Sequence, residues 1–356
     1  MFEDIIKGAA ANSVPEKEIM GNEDVQIAIV GVGGGGCNTV DRIMKMGVKG
    51  VTTVAVNTDQ LHLKTLQAHK RVLIGASITK GLGAGGFPEV GQKCAEASKD
   101  MLKQTIGNNQ LVFLCAGMGG GTGTGAAPVV ARAAKEEGAI VVGMVTYPFS
   151  LERARLKKAD AGLKQLVKEC DTVIVIDNNR LASYVPNLPI SDAFKLADMI
   201  TGKAVTGITD TILFPSLMNV DYADVKSVME NGGVSLISMG EGKGGDRVEQ
   251  VIKNSLSHPL LDISYEGAKN ALLHINGGTA LTLGEAIEIG EGITKNFDPK
   301  ANIKMGARLD PSLGDSISVT AIVTGLQCAQ LKWSDEPAQQ PEKSYGRAME
   351  MENFSF

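Results

Sequence analysis

Five continuous apolar runs of strand length dominate the first half of this sequence, and they limit the folds that it can adopt. The runs are VQIAIVG, VTTVAVN, LVFLCAG, IVVGMVT and TVIVID. Stretches with a helical pattern separate most of them, including residues 88–104, 128–137 and 156–168. Strands that are apolar along their whole length are buried on both faces. The alternation therefore predicts an α/β fold in which helices cover both faces of a parallel sheet.

The pattern changes after residue 190. Residues 191–213 read as one long helix, and beyond Gly233 the strands are weaker or alternate between apolar and polar residues. This favours a second, smaller α/β domain with a mixed sheet. Residues 334–343 combine proline, glutamine and charge, which is typical of a solvated linker. The predicted boundaries are an N-terminal extension at 1–24, a first domain at 25–190, a linking helix at 191–213, a second domain at 214–330, and a flexible linker with a terminal peptide at 331–356.

Charge, cysteine content and hydropathy exclude several classes of protein. Forty acids against 35 bases give a net charge of −5, which argues against nucleic acid as the main partner. No apolar run approaches the ~18 residues that a membrane-spanning helix needs, so we expect no direct membrane insertion. Five cysteines without a CxxC pair fit reduced thiols in a cytoplasmic protein. The four histidines are scattered, and the sequence predicts no protein metal site.

Three glycine-rich segments follow strands and precede helices in the predicted order. They are GVGGGG at 31–36, GLGAGGFP at 81–88 and GGGTGTG at 119–125. In a parallel sheet such segments meet at the carboxyl edge, where ligands bind. A segment of only glycine and threonine leaves every backbone N–H free to point at an anion, and the following helix adds a partial positive charge. We therefore expect a polyphosphate ligand, although the lysine of a P-loop is absent.

The first glycine segment also allows another interpretation. Gly31, Gly33 and Gly36 satisfy the GxGxxG pattern of dinucleotide-binding enzymes, and Asp59 follows at roughly the required distance. Taken alone, the motif would favour an NAD-dependent oxidoreductase, but a lone GxGxxG also occurs as a simple turn between a strand and a helix. The other two glycine segments favour a ligand with more phosphates than a dinucleotide carries.

Residues 119–131, GGGTGTGAAPVVA, closely match the signature of the tubulin/FtsZ family, and the neighbouring segments fall in the order found there. The resemblance covers about residues 25–325 and is greatest to the archaeal branch of FtsZ. It implies a Rossmann-like GTPase domain, a long central helix and a smaller C-terminal domain with a mixed sheet. It also implies GTP and GDP as ligands, with Mg²⁺ held mainly by phosphates and water because Mg²⁺ prefers to keep its waters.

The resemblance assigns all three glycine segments to the phosphates. In the family the first contacts the α- and β-phosphates, the second senses the γ-phosphate, and the signature segment binds phosphate most closely around its first threonine. The residues at these positions are Gly34, Gly35, Gly36, Cys37 and Asn38, then Ala84, Gly85 and Gly86, and then Gly119, Gly120, Gly121, Thr122, Gly123 and Thr124. Cys37 could be a modifiable thiol or a small space-filling side chain.

The same resemblance assigns residues to the ribose and the base. Glu152 matches the residue that holds the ribose, and Arg155 matches the basic residue nearby, although its spacing is one residue shorter than in many relatives. A solvated helix residue is the alternative for Arg155. Guanine offers N1–H and N2–H₂ donors and an O6 acceptor, so a carboxylate beside an amide can read it, and Asp198 and Asn178 match those positions. Phe194 matches the apolar contact to the base, with core packing as its alternative.

An acidic segment, Asn219-Val-Asp221-Tyr-Ala-Asp224, precedes a predicted helix. From the residues alone, Asn219 or Asp221 caps that helix and Asp224 lies in its first turn. The resemblance assigns residues 214–224 to the synergy loop, which completes the nucleotide site of the next subunit in a filament. The two acids would polarise the attacking water and Asn219 would help to orient it, and both interpretations can hold together. Residues 214–216, Phe-Pro-Ser, replace the Arg-Pro-Gly usual in the family, which leaves the contacts of this segment open.

The resemblance implies a GTPase that polymerises head to tail into filaments and serves as the cell-division ring scaffold at mid-cell in the cytoplasm. Its partners would be further copies of itself and, through the terminal peptide, a membrane-anchor or division protein. The ending ENFSF does not closely match the expected tail. Two alternatives stay open: the NAD-dependent oxidoreductase, and a GTP-binding regulatory homologue that does not polymerise.

Overall fold

A computed structural model describes residues 25–213, 216–218, 220–230, 232–256 and 265–326. The predicted N-terminal extension and the linker with its terminal peptide lie outside these residues, as do Phe214, Pro215 and Asn219 of the acidic loop. Within them the chain forms two sheets joined by a long helix. The predicted fold class, a parallel-sheet domain followed by a smaller domain with a mixed sheet, is confirmed.

The first sheet is parallel throughout and has the strand order β3-β2-β1-β4-β5-β6-β7 in the described part of the chain. Its strands are β1 (Ile27–Val32), β2 (Val51–Asn57), β3 (Lys70–Leu73), β4 (Leu111–Gly117), β5 (Ile140–Tyr147), β6 (Thr172–Asp177) and β7 (Gly233–Val234). The apolar residues of β1 and β4 are buried on both faces, as their sequence pattern predicts.

Helices cover both faces of this sheet. In chain order they are α1 (Gly33–Lys45), α2 (Gln60–Thr65), α3 (Ala76–Thr79), α4 (Pro88–Glu96), α5 (Lys99–Ile106), α6 (Thr122–Glu136), α7 (Arg153–Glu169), α8 (Asn178–Tyr184), α9 (Ile190–Leu213) and α10 (Tyr222–Met229). Helices α4 to α7 pack on one face, whereas α1, α9 and α10 pack on the other. The sheet is therefore the middle layer of three.

The second sheet is mixed, with the order β10-β9-β11-β8. Its strands are β8 (Leu236–Lys243), β9 (Asn270–Gly277), β10 (Asn302–Leu309) and β11 (Ser316–Thr324). Strands β9 and β10 are parallel, and β11 is antiparallel to both β9 and β8. Helices α11 (Arg247–Leu256) and α12 (Leu283–Thr294) cover one face, and the other face joins the core formed by α1, α9, α10 and the first sheet.

Some predicted helix limits are wrong. The helix expected at 88–104 is broken at Ala97 and Ser98 into α4 and α5, and the hydroxyl of Ser98 accepts a hydrogen bond from the N–H of Gly75 (3.1 Å). The helices expected to follow the first and third glycine segments, the latter at 128–137, begin instead inside those segments, at Gly33 and Thr122. Glycine has a low helix propensity, and the strand packed against each first turn overrides that preference.

Candidate nucleotide site and acidic loop

The candidate site lies at the carboxyl edge of the first sheet, where β1 and β4 are neighbours. The helix after β1 packs on one face of the sheet and the helix after β4 on the other, so a crevice opens between their N-termini. Both helices begin inside glycine segments, α1 at Gly33 and α6 at Thr122. Their first turns point backbone N–H groups and positive dipole ends toward the crevice, which is the arrangement that binds phosphate.

Two glycines of these segments lie where main chains touch. A Cβ on Gly36 would lie 2.0 Å from the carbonyl oxygen of Cys115, and a Cβ on Gly123 would lie 2.5 Å from that of Gly117. Gly34, in contrast, has open space at its Cβ position. Part of the glycine pattern is therefore required for packing, and part keeps the crevice clear for a ligand.

A cleft of about 560 Å³ opens over this crevice, within the range usual for small-molecule sites. The residues that line it are Gly34, Gly35, Asn38, Thr39, Arg42, Gly117, Met118, Gly120, Gly121, Thr122, Gly123, Thr146, Pro148, Phe149, Glu152, Arg155, Asn178, Phe194, Ala197 and Asp198. Most residues that the sequence assigned to a nucleotide are among them. The assigned residues that do not line the cleft are Gly36, Cys37, Ala84, Gly85, Gly86, Gly119 and Thr124.

Cys37 points away from the cleft. Its thiol lies 3.4 Å from the carbonyl oxygens of Gly31 and Val56, and burial raises its pKa to about 12. A thiol that stays protonated at neutral pH is a poor nucleophile, so the space-filling interpretation fits and the modifiable thiol does not. Any contact between Cys37 and a nucleotide would have to come from its backbone.

The signature segment uses some of its own donors internally. The hydroxyl of Thr124 accepts from the N–H of Gly119 (2.8 Å), and the carbonyl of Gly121 accepts from the N–H of Gly125 (3.0 Å). The expectation that every N–H of this segment is free is therefore wrong. The N–H groups of residues 122–124 belong to the first turn of α6, where a helix provides no internal acceptor, and they are the ones available to an anion.

The second glycine segment lies beside the signature segment. A Cβ on Gly121 would lie 2.9 Å from the Cβ of Ala84 and 3.1 Å from the backbone nitrogen of Gly86. Lys158 of α7 donates to the carbonyl of Gly86 (2.7 Å), and its ammonium lies 5.5 Å from the centre of the Phe87 ring. Sequence reasoning missed Lys158 because its partners are more than 70 residues away. The role of residues 84–86 as a γ-phosphate sensor stays a prediction.

The far end of the cleft combines aromatic rings with an amide. Phe194 and Phe149 both line it and meet edge to face, with ring centres 6.2 Å apart and planes at 64°. Asn178 also lines it, and its buried side-chain oxygen has no hydrogen-bond partner among the described residues. A buried amide oxygen without a partner is costly, so it favours a ligand that donates there. Phe149 was missed, although it immediately precedes the Ser-Leu-Glu152 segment.

Asp198 is held by two residues of α1 that sequence reasoning also missed. The hydroxyl of Thr39 donates to one carboxylate oxygen (2.6 Å), and the guanidinium of Arg42 pairs with the other. Burial raises the pKa of Asp198, whereas Thr39 and Arg42 act in the opposite direction and favour the carboxylate. Arg42 lies one helical turn after the predicted Asn38, but a separation of 156 residues from Asp198 hides the pair from sequence reasoning.

Glu152 and Arg155 are together at the edge of the cleft. They form an ion pair, and Glu152 also accepts from the N–H of Phe149 (3.1 Å). A Cβ on Gly119 would lie 2.9 Å from the Cβ of Arg155, so the first turn of α7 touches the signature segment. Arg155 lines the cleft beside Glu152 despite the shorter spacing in this sequence. Their contacts to a ribose stay a prediction.

The acidic loop is organised by a reciprocal cap. Asp221 is the N-cap of α10 and accepts from the N–H of Asp224 (2.8 Å), while the Asp224 carboxylate lies 3.4 Å from the N–H of Asp221. The capping interpretation of Asp221 and the first-turn position of Asp224 are therefore confirmed. Lys304 of β10 pairs with Asp224 (2.8 Å) and holds the pKa of that carboxyl below its usual value. Asn219 lies outside the described residues.

The acidic loop and the cleft lie at opposite edges of the first sheet. The hydroxyl of Tyr222 donates to the carbonyl of Gln110 (2.8 Å), and Gln110 immediately precedes β4. The cleft begins at Gly117, where β4 ends. At about 3.3 Å per residue, the length of β4 corresponds to roughly 20 Å. Asp221 and Asp224 are therefore out of reach of the cleft in their own chain.

Comparison with known proteins agrees with this architecture. A family model for the GTPase domain of the tubulin/FtsZ family matches residues 26–186, and the model for the C-terminal domain of the FtsZ family matches residues 233–327. The cell division protein FtsZ 2 of Methanocaldococcus jannaschii is 56% identical over 315 residues, which cover 88% of this chain and 83% of that protein. The chain belongs to the tubulin/FtsZ family. Because this is a family of GTPases, the same matches identify the chain as a GTPase.

Further tubulin/FtsZ relatives match over most of the chain. FtsZ 2 of Halobacterium salinarum is 49% identical over 337 residues, covering 93% of this chain and 86% of the relative. A solved M. jannaschii FtsZ, described as an empty dimer, is 38% identical with a TM-score of 0.78 and covers 94% of this chain and 98% of that one. The expected resemblance to archaeal FtsZ is thereby confirmed.

Membership of the tubulin/FtsZ family argues against the NAD-dependent oxidoreductase interpretation. The Asp59 carboxylate, which the NAD interpretation requires at a ribose, instead caps α2 by accepting from the N–H of His62 (3.0 Å). Asp59 does not line the cleft. Within the described residues no cluster of three or more metal-ligating side chains occurs. In the same part of the chain, the helices are too short or too polar to cross a bilayer.

Proposed function

We propose that this chain binds GTP in the cleft and hydrolyses it only after head-to-tail assembly, when the acidic loop of the next subunit reaches the bound nucleotide. One observation carries the proposal: the cleft and the acids lie at opposite edges of one sheet. Two such surfaces on one molecule can meet only between copies. A contact of two unlike surfaces that does not close on itself generates a filament.

Each part of the cleft has a chemistry that fits one part of GTP. The first turns of α1 and α6 suit the phosphates. Asn178 supplies an unsatisfied amide oxygen, and the Asp198 carboxylate of α9 lines the same cleft, so both have oxygens that can accept from the guanine N–H donors. Phe194 and Phe149 can pack on the base. The two cleft carboxylates, Glu152 and Asp198, are both already paired, so Mg²⁺ would depend on phosphate and water ligands.

Hydrolysis needs a positioned water more than covalent chemistry from the protein. The nucleotide segments provide donors and no free base, whereas Asp221 and Asp224 provide partly exposed carboxylates. These carboxylates would accept hydrogen bonds from the attacking water and so align it with the γ-phosphate. Asn219 would help to orient the same water. The capping box fixes both acids relative to α10, so no reorganisation is needed when the next subunit docks.

The names of the relatives support a cellular role. Archaeal relatives that match most of this chain are named cell division proteins, and one solved relative is described as a dimer. We propose that the filaments serve as a division-ring scaffold in the cytoplasm at mid-cell. The terminal peptide would bind a membrane-anchor or division protein. Removing residues 345–356 should leave GTP hydrolysis unchanged and abolish that binding.

A mixing experiment tests the shared site. Gly34→Asp places a carboxylate in the phosphate end of the cleft, where the structure has room for it, and should prevent GTP binding without unfolding the chain. Asp224→Asn should bind GTP but fail to hydrolyse it. Each variant alone is expected to be inactive. Mixed together they should recover a substantial part of the wild-type phosphate release, because Gly34→Asp chains lend their acids to Asp224→Asn chains that hold GTP.

The control for this experiment is Gly284→Asp, which adds the same carboxylate at an open position in the first turn of α12. It should behave as wild type. Wild-type turnover should also rise faster than linearly with protein concentration, and GTP should pellet more protein than GDP does. Full turnover in a dilute monomer, or no recovery on mixing, would contradict the shared site. GTP binding without pelleting would instead indicate a regulatory homologue that does not polymerise.

A further inference from the structure

Lys304 of β10 forms an ion pair with the acidic loop. Its ammonium lies 2.8 Å from an Asp224 carboxylate oxygen, and the side chains are 39% and 28% exposed. The pair therefore faces solvent rather than the core. Asp224 is one half of the capping box: its Oδ2 faces the N–H of Asp221, whereas Lys304 contacts its Oδ1. Lys304 therefore engages the carboxylate oxygen that the capping box leaves available.

The course of the chain over β10 creates this pair. Met218 and Ala307 exchange backbone hydrogen bonds of 3.2 and 3.3 Å, so the segment before α10 runs along the edge of β10. A Cβ on Gly306 would lie 2.8 Å from the Cγ2 of Val220, so only glycine lets the segment lie this close. Lys304 is two residues from Gly306 and shares its face of the strand, which brings its side chain to the first turn of α10.

In an assembled site, the Lys304–Asp224 pair would reduce the repulsion between the acidic loop and the triphosphate. The acidic loop would bring Asp221 and Asp224 up to a triphosphate that itself carries several negative charges. Like charges oppose this approach and favour protonation of the carboxyl groups. Lys304 counters both effects: its hydrogen bond lowers the pKa of Asp224, and the same contact raises the pKa of Lys304.

We propose that Lys304 is a positioning residue for hydrolysis in trans, holding the Asp224 carboxylate in place and neutralising one acidic charge where the loop meets the triphosphate of the next subunit. The inference rests on the function proposed above. The charged groups that face Asp224 are Lys304 from β10 and Asp221 from the start of α10. Without Lys304, Asp224 would become protonated at a higher pH inside the filament, and the loop would dock against stronger repulsion.

The pH profile of GTP turnover in Lys304→Met tests this role. The acid limb of kcat should move up by about 0.5–1 pH unit, because an exposed opposite charge shifts a carboxyl pKa by less than a buried one does. Turnover should therefore fall about three- to tenfold near the acid limb and recover toward the wild-type value at high pH. The critical concentration for pelleting should rise about two- to fivefold, and added salt should reduce that difference because it screens the repulsion.

Two variants separate this role from a general loss of charge or fold. Lys304→Arg keeps the cation and should restore the wild-type profile. Lys300→Met removes a lysine from the turn before β10 that makes no ion pair with a described residue, and it should leave the profile unchanged. Equal thermal unfolding of all three variants would show that the fold is intact.

Mixed filaments test whether the loss of Lys304 acts in the subunit whose acids complete the neighbouring site. Lys304→Met combined with Gly34→Asp should activate Asp224→Asn chains less than Gly34→Asp alone does. Lys304→Met on the Asp224→Asn chain should reduce turnover much less, since that chain has no Asp224 carboxylate to provide. An unchanged pH profile in Lys304→Met, or an equal effect on both chains, would overturn the role of Lys304. Concentration-independent turnover in the wild type would instead overturn the shared site itself.

Discussion

The cleft and the acidic loop are built by opposite means. At the phosphate end of the cleft the proposed binding groups are backbone N–H groups, and glycines allow α1 and α6 to begin against the ends of β1 and β4. At the acidic loop the proposed functional groups are the side chains of Asp221 and Asp224, with Lys304 of the second sheet paired to Asp224. In our proposal the first region therefore binds through its main chain and the second acts through its side chains.

Substitutions in the two regions should therefore affect different properties of the protein. A change in the glycine segments alters packing or the space left for phosphate, so it should reduce folding or binding. A change in the acidic loop alters charge on an exposed surface, so it should reduce turnover and leave folding nearly intact. Four experiments test this difference between the two regions.

The largest effect is expected from Gly36→Ala. The added Cβ would lie 2.0 Å from the carbonyl oxygen of Cys115. Because this oxygen belongs to the main chain of a buried strand, it cannot move away without distorting the sheet. We therefore expect the free energy of unfolding to fall by about 3 kcal/mol or more. Gly34→Ala, two residues earlier, has open space and should be neutral or slightly stabilising, because alanine favours helix. Urea unfolding of both variants measures the difference. Equal stabilities would show that the glycines do not carry the packing.

The next largest effect concerns His274, a buried residue of β9 beneath the acidic loop. Burial lowers its pKa to about 4, and Arg308 adds to the shift. Between pH 6.5 and 4 the unfolded chain binds a proton that the folded chain excludes, so stability should fall as the pH drops, by about 2–3 kcal/mol in total.

His274→Met should remove this part of the pH dependence while keeping a similar volume. Denaturant midpoints from pH 7 to pH 4 provide the measurement. A wild-type slope in His274→Met would mean that other groups cause the acid sensitivity.

A smaller effect is expected from Arg42→Met in the cleft. It leaves the buried Asp198 carboxylate with Thr39 alone, and we expect a loss of about 1–2 kcal/mol, limited by the 31% exposure of the Arg42 side chain. The double variant with Asp198→Asn should recover part of that loss, because the unpaired charge is gone. A double-mutant cycle in urea gives the coupling. Zero coupling would show that the base end of the cleft does not depend on this pair.

The smallest effects compare two capping boxes. Asp221→Asn should change stability by less than about 0.5 kcal/mol, because Asn caps as well as Asp, yet it should abolish most of the GTP turnover. Thr282→Ala at the cap of α12 should cost about 1 kcal/mol and leave turnover unchanged. Thermal unfolding and phosphate release on both variants provide the measurement. Loss of turnover in Thr282→Ala would contradict the assignment of turnover to the acidic loop alone.

Sequence reasoning identified the residues whose role is local. The glycine segments and the Asp221 cap depend on neighbours within a few positions, and their patterns predicted both a phosphate-binding edge and a helix start. It missed Arg42, Thr39 and Lys158, whose partners lie 70 residues or more away. It also expected every N–H of the signature segment to be free, because it could not foresee that Thr124 satisfies Gly119.

By itself, then, the sequence determined which segments can bind an anion, where helices are capped, and which family the chain resembles. Only the tertiary structure decided that the cleft and the acids lie at opposite edges of one sheet, and that Lys304 meets Asp224. Backbone conformation and capping depend on short-range sterics and hydrogen bonds that a few residues specify. The meeting of distant side chains depends on how strands and helices pack, and no short stretch of sequence contains that information.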